Sequence, residues 1–218
     1  MQLVIGNKKY SSWSMRPWVA MQHFGVAFDE VQLGLFTDTW AEDIAQYGSR
    51  TVPVLVDEQL GSITDSLAIL ETLADFAPHM WPTRAKLRAQ ARSACAQMHS
   101  GFIAMRSEMP MNCSAHQRQL GITEACAIDV AAVQILWQQC RDLALELDVP
   151  DHGYLFGEFS IADAFFAPVV IRLNAYAVPT SEASQAYMQT MLANPAIAAW
   201  VAAGQAETTL LAEDEVGH

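Results

Sequence analysis

The chain reads as an α+β protein in which a small mixed sheet with helices on its faces is followed by an all-helical half. Three observations predict this. Residues 1–79 alternate strand-like and helix-like runs in the order βαβ and then αββα. The stretch from Met80 to Thr83, with Pro82 as a breaker, interrupts the pattern as a linker. Beyond it, apolar residues recur at helical spacing and no strand pattern returns. The expected division is a first domain over 1–79, a linker over 80–83 and a helical domain over 84–218.

Each element has its own signal. Leu3-Val4-Ile5 is a short apolar strand, helical periodicity runs over residues 15–24, and residues 26–33 alternate as a second strand. Residues 39–47 read as a short helix capped by Thr37, Asp38 or Thr39. Val52-Pro53-Val54-Leu55-Val56 is a buried strand headed by a proline, and residues 60–63 form its neighbour across Asp57-Glu58-Gln59. Asp65 then caps a helix that ends near Ala77-Pro78. In the second half, residues 84–108 read as one long helix rich in Ala and Gln. Residues 123–147 place Val133, Leu136, Cys140, Leu143 and Leu147 on one face. Residues 160–176 form a further helix, which Pro168 is expected to kink. Shorter helices follow over 182–192 and 195–205, and the acidic tail 213–218 is expected to fray into solvent.

Composition excludes several function classes. Hydrophobic residues at 52% and charged residues at 17% allow a sizeable core and argue against disorder. With 24 acidic residues against 12 basic ones, the net charge of −12 repels phosphate backbones and anionic membrane surfaces. Neither nucleic acid nor membrane is an expected partner. Cys95, Cys113, Cys126 and Cys140 form no CxxC pair, which suits reduced thiols buried in helices. No HExxH or comparable cluster points to a metal. The amino-terminal stretch has no basic segment leading into an apolar core, and the longest apolar run, 161–178, is interrupted by Asp163, Arg172 and Asn174. A cytoplasmic location is expected.

Four short motifs carry chemistry. Tyr10-Ser11-Ser12-Trp13-Ser14-Met15-Arg16-Pro17-Trp18 crowds three hydroxyls onto a strand-to-helix turn. Backbone N–H groups there lack intrahelical partners and the helix dipole favours negative charge, so an anion such as a thiolate can be held. A plain N-cap role for one serine accounts for part of the same pattern. At Val52-Pro53, a cis bond would leave the Val52 N–H and C=O facing outward to pair with a peptide-like ligand, whereas a trans proline would merely start the strand. Asp65-Ser66 opens a helix. It reads either as a simple cap or as a holder for a ligand carboxylate on Ser66 and a ligand ammonium on Asp65. Ser160-Ile161-Ala162-Asp163 has the spacing of a capping box and is read as structural. Phe102, Met105, Arg106, Met109 and Met111 form an apolar stretch around one charge, read as core or as a pliable substrate wall.

The ordered set resembles a cytosolic glutathione transferase over nearly the whole chain. The run SSWSMRPW is similar to the serine turn of the zeta class and its bacterial relatives. The resemblance implies a thioredoxin-like first domain, glutathione as cosubstrate, a homodimer and a small hydrophobic electrophile. It implies that Pro53 is cis, that Val52 pairs with the cysteinyl part of glutathione, and that Asp65 and Ser66 hold the γ-glutamyl end. Asp stands where the family more often has Glu, so its shorter reach implies a water-bridged contact. Arg50 is placed near the glycyl carboxylate. The catalytic hydroxyl is assigned to Ser12 or Ser11, both spaced suitably from Arg16, with Ser12 preferred and Ser14 as the N-cap. The electrophile is expected near Tyr10, Trp13, Trp40, Phe102, Met105, Arg106 and Met109. The implied activity is addition of the glutathione thiol to electrophiles. Its alternatives are an isomerase of the maleylacetoacetate type, or a binding or regulatory module with the transferase fold. Trp13 occupies the place of a zeta-class cysteine, which weighs against the isomerase.

Overall fold

A computed structural model describes residues 1–218. Strands β1 (Gln2–Ile5), β2 (Asp29–Gln32), β3 (Val54–Asp57) and β4 (Gly61–Thr64) form one sheet in the order β2-β1-β3-β4. β1 runs parallel to β2 and antiparallel to β3, and β3 pairs antiparallel with β4. The period-two alternation of β1 assigns its faces. Leu3 and Ile5 enter the main core with residues of α1 (Ser12–His23) and α3 (Ser66–Phe76). Val4 enters a separate small cluster with Val54 and Ile44 of α2 (Trp40–Ala45). The expected βαβ-αββα order is present, and with it the thioredoxin-like arrangement followed by helices.

The helical half contains α4 (Ala85–Ser100), α5 (Ile103–Glu108), α6 (Glu124–Glu146), α7 (Ile161–Ala175), α8 (Glu182–Ala193) and α9 (Pro195–Ala206). The single helix expected over 84–108 is thus broken in two. Phe102 at the break has φ 53°, and a Cβ on Gly101 would lie 2.7 Å from the Gln97 carbonyl oxygen, so only glycine fits there. The break frees the His99 and Gly101 carbonyls, which accept from Arg106 Nη1 at 3.3 and 3.2 Å.

α7 is buried along almost its whole length and packs on α1 and α4. Its capping box is formed as expected. Asp163 Oδ2 accepts from the Ser160 N–H at 2.9 Å, and Ser160 Oγ accepts from the Ala162 N–H at 3.2 Å. α9 closes on the loop after β1, where Glu207 accepts from the Lys8 and Lys9 N–H groups at 2.7 and 3.1 Å. The loop bearing the serine turn is therefore fixed from both halves of the chain.

The tail does not fray, contrary to its acidic composition. Glu215 accepts from Tyr10 Oη at 2.7 Å, Asn112 Nδ2 at 2.9 Å and Arg118 Nη2 at 2.7 Å. Gln119 and His218 exchange backbone hydrogen bonds at 2.7 and 3.3 Å. The carboxylate satisfies donors on buried Tyr10 and Asn112 that the sequence pattern does not reveal. Glu215→Ala strands those donors and is expected to cost about 2 kcal/mol. A thermal melt should show this as a fall of roughly 4–8 °C.

Candidate active site

The serine turn begins where β1 ends. The Asn7 carbonyl accepts from the Tyr10 and Ser11 N–H groups at 3.2 and 2.8 Å, which reverses the chain into α1. Ser11 occupies the N-cap without a side-chain cap bond. Its Oγ instead donates to Ser14 Oγ at 2.7 Å, and Ser14 Oγ accepts from the Gly6 N–H at 3.1 Å. This corrects the expected cap: Ser14 lies inside the first turn of α1, fully buried, and ties the helix to the end of β1. Ser12 is half-buried and opens the helix. Its Oγ accepts from Arg172 Nη2 at 3.3 Å. A lone pair is thereby engaged while the hydroxyl proton stays free to be donated. The Trp13 and Ser14 N–H groups find no acceptor in the chain, as the first turn of a helix requires.

Three arginines converge on this turn. Arg16 is buried between the Trp13 and Phe165 rings, 4.1 and 4.4 Å from their centroids, and its Nη1 donates to Ser66 Oγ at 3.4 Å. Burial, then repulsion from Arg106 and Arg172, lowers its pKa to about 9. The Arg106 guanidinium lies 4.9 Å from the Trp13 ring centroid. Arg172 Nη1 donates to the Arg106 carbonyl at 3.0 Å and to the Met109 carbonyl, and burial lowers its pKa to about 10. Arg16 and Arg172 thus stay cationic at neutral pH, and none of the three arginines is ion-paired. Beside Arg106 and Arg172 lies a cleft of about 330 Å³ lined by these two with Ser12, Trp13, Ser100, Ile103 and Ser107.

A second hollow, of about 860 Å³, opens beside the sheet. Trp40, Arg50, Thr51, Thr64 and Asp65 are among its lining residues. The adjoining Val52–Pro53 bond is cis, and neither the N–H nor the C=O of Val52 bonds within the chain. Asp65 adopts φ 76°, a conformation that L side chains rarely take and that recurs at ligand sites. Its Oδ1 caps α3 by accepting from the Leu67 and Ala68 N–H groups at 2.8 and 3.2 Å. Its Oδ2 lies 3.2 Å from His99 Nε2, and the His99 ring meets Trp13 edge-on at 5.2 Å. His99 of α4 therefore links the hollow to the cleft.

The expected site residues divide into three groups. Ser12, Trp13 and Arg106 come together in the cleft, while Arg50, Asp65 and Trp40 share the hollow. Trp40 is thus on the sheet side, away from Trp13. Others do not face either space. Ser66 is sealed from solvent with its hydroxyl against Arg16, so it is not open to a ligand. Ser11 is buried and bonded to Ser14, Tyr10 is buried with its hydroxyl on Glu215, and Pro53 is buried behind Val52. Met105 and Met109 are core residues, and Phe102 packs against the same core. The apolar methionine wall is absent because α5 turns that face inward. Sequence reading passed over Arg172, His99 and Thr64. For Arg172 a signal existed: it is the one basic residue in the apolar run of α7.

Two family profiles match the chain. The glutathione S-transferase N-terminal domain matches residues 10–75, and the glutathione S-transferase C-terminal domain matches residues 53–203. The chain belongs to the glutathione S-transferase family. Solved structures agree in fold. A glutathione transferase homologue from Burkholderia, with bound glutathione, is 24% identical with a TM-score of 0.61, over 94% of this chain and 98% of that one. A sphingomonad glutathione S-transferase complexed with glutathione is 22% identical with a TM-score of 0.63, over 95% and 100%. A bacterial beta class glutathione S-transferase from Sphingomonas chungbukensis is 22% identical with a TM-score of 0.62, over 94% and 98%. No protein of curated function matches. No helix of this glutathione S-transferase family member is long and apolar enough to cross a membrane.

Proposed function

We propose that the protein is a glutathione transferase that holds the glutathione thiol as a thiolate at Ser12 and adds it to small electrophiles. The observation that carries this is the Ser12 hydroxyl, whose oxygen accepts from Arg172 and whose proton is free at the start of α1. Lowering a thiol pKa from about 8.5 to about 6.5 takes ~2.7 kcal/mol and raises the thiolate fraction at pH 7 from roughly 3% to roughly 75%. One charge-assisted hydrogen bond together with a helix terminus supplies a stabilisation of that size. The thiolate then attacks an electrophilic carbon held beside it, with proximity supplying much of the remaining rate gain.

On this reading glutathione lies along the hollow. The unpaired Val52 N–H and C=O, presented by the cis Pro53, meet its cysteinyl backbone as an added strand. Asp65 faces the γ-glutamyl ammonium and Arg50 the glycyl carboxylate, with Ser66 acting behind Asp65 by tying α3 to Arg16. The electrophile sits in the cleft with Trp13 and Arg106. Related structures solved with bound glutathione support the choice of cosubstrate. The division 1–79, 80–83 and 84–218, a homodimer and a cytoplasmic location belong to the same proposal as family expectations.

The test is glutathione consumption against a panel containing a chlorodinitrobenzene, an enone, an isothiocyanate and a maleyl keto acid. Turnover that collapses in the Ser11→Ala/Ser12→Ala double variant is the expected result. Isomerisation of the maleyl keto acid without net loss of glutathione would select the isomerase. Glutathione binding with no turnover of any member would select the binding module.

A further inference from the structure

Resting on that reading, we propose that the electrophile carries a carboxylate, which Arg106 seats in the cleft beside Ser12 with the Arg172 charge behind it. The cleft is unsuited to a purely apolar partner. Trp13 and Ile103 are its only hydrophobic lining, against three serines and two guanidinium groups. The flexible methionines that would have made an apolar wall are buried elsewhere.

The charge pattern points the same way. The protein is acidic overall, with a net charge of −12, yet Arg106 and Arg172 face this cleft without an ion pair. Each lowers the pKa of nearby Arg16, and the carboxylates nearest the cluster, Asp65 and Asp214, act on it from a distance without forming an ion pair with any of the three. Arg106 spends only Nη1, on the His99 and Gly101 carbonyls, and its Nη2 and Nε bond nothing in the chain. A planar fork with two donors unspent matches a carboxylate.

Glutathione does not use up this capacity. Its thiolate requires one donor set, the Ser12 hydroxyl and the start of α1. In the proposed pose its glycyl carboxylate meets Arg50 and its γ-glutamyl end lies at Asp65, both in the hollow. The remaining cationic site at Arg106 lies where a second substrate would put its distal end.

The reaction that reads this out is aromatic substitution on 4-chloro-3,5-dinitrobenzoate. The glutathione thiol has given its proton to water. The thiolate sulfur forms a C–S bond at the chlorinated carbon, and chloride leaves with the electron pair of the C–Cl bond. The neutral control is the methyl ester of the same compound, and each enzymatic rate is divided by the uncatalysed rate with glutathione.

We expect the acid to be favoured over the ester by about tenfold or more in kcat/KM, as one charge-assisted pair allows. Arg106→Gln, which can still donate to the two carbonyls, should bring that preference to about one, and Arg106→Lys should restore part of it. An ester used as well as the acid, or a preference untouched by Arg106→Gln, would overturn the inference and leave glutathione transfer standing. Turnover of neither compound by a protein that consumes glutathione with another member of the panel would overturn the carboxylate seat alone, and no turnover of any electrophile would overturn both. Calorimetry on the wild-type protein gives a readout that needs no variant. The conjugate of the acid should bind about tenfold more tightly than the conjugate of the ester, and equal affinity would overturn the carboxylate seat alone.

Discussion

Ser12→Ala should lower kcat/KM for glutathione transfer by about tenfold, the worth of one hydrogen bond to a charged group at the lower end of its range. The same variant should move the ionisation of bound glutathione upward by about one pH unit, because only the helix terminus then stabilises the thiolate. The direction follows from preferential stabilisation of the charged form: removing the donor raises the thiol pKa, so activity is lost most at low pH and partly regained as pH rises. Thiolate absorbance of the bound cosubstrate against pH measures the shift directly. Ser11→Ala should show a smaller kinetic loss and a lower melting temperature, since its hydroxyl is bonded to Ser14 inside the turn. A reversed order, with Ser11→Ala the more damaging to rate and Ser12→Ala near wild type, would move the thiolate to the other hydroxyl.

Asp163→Ala should destabilise the fold by about 4 kcal/mol, with melting lowered by roughly 10 °C or more. The carboxylate is fully buried and accepts from the Leu155 N–H at 3.0 Å, the Ser160 N–H at 2.9 Å, Ser160 Oγ at 3.1 Å and Tyr187 Oη at 3.2 Å. Removing it leaves several donors without acceptor in a dry environment. Burial pushes this carboxyl from 3.8 up to about 6, against the pull of those hydrogen bonds. A folded pKa above the unfolded value means that the native state holds the proton more tightly. This contribution is therefore largest below the ordinary carboxyl value and is lost as pH rises through about 6. Stability relative to Asp163→Asn should fall between about pH 4 and pH 6 and level off above, which chemical denaturation at several pH values checks.

What was legible in the sequence is what short range decides. The alternation in Leu3-Val4-Ile5, the Asp65 cap and the Ser160–Asp163 box each act within a few residues, and each is formed. The break at Gly101-Phe102 was present as a glycine inside a helical pattern, but its necessity comes from the Gln97 carbonyl one turn away. The tail was misjudged because composition sees its charges and not Tyr10, Asn112 and Arg118, which lie about a hundred residues or more away along the chain. Among the three serines of one turn, which one caps and which one faces the cleft depends on Gly6 and Arg172, so spacing alone left Ser11 and Ser12 unresolved. Arg172 was seen only as an interruption of an apolar run. Its role needed α7 to be laid against α1.

The distribution of tryptophans makes the molecule its own optical instrument. Of six, Trp18, Trp81, Trp137 and Trp200 are buried and should emit at short wavelength whatever is bound. The other two are half-exposed, Trp40 at the hollow and Trp13 at the cleft. Each compartment thus carries one fluorophore of its own. With Trp40→Phe the long-wavelength emission should follow filling of the cleft alone, and with Trp13→Phe filling of the hollow alone, so the order in which the two substrates arrive can be timed without a label.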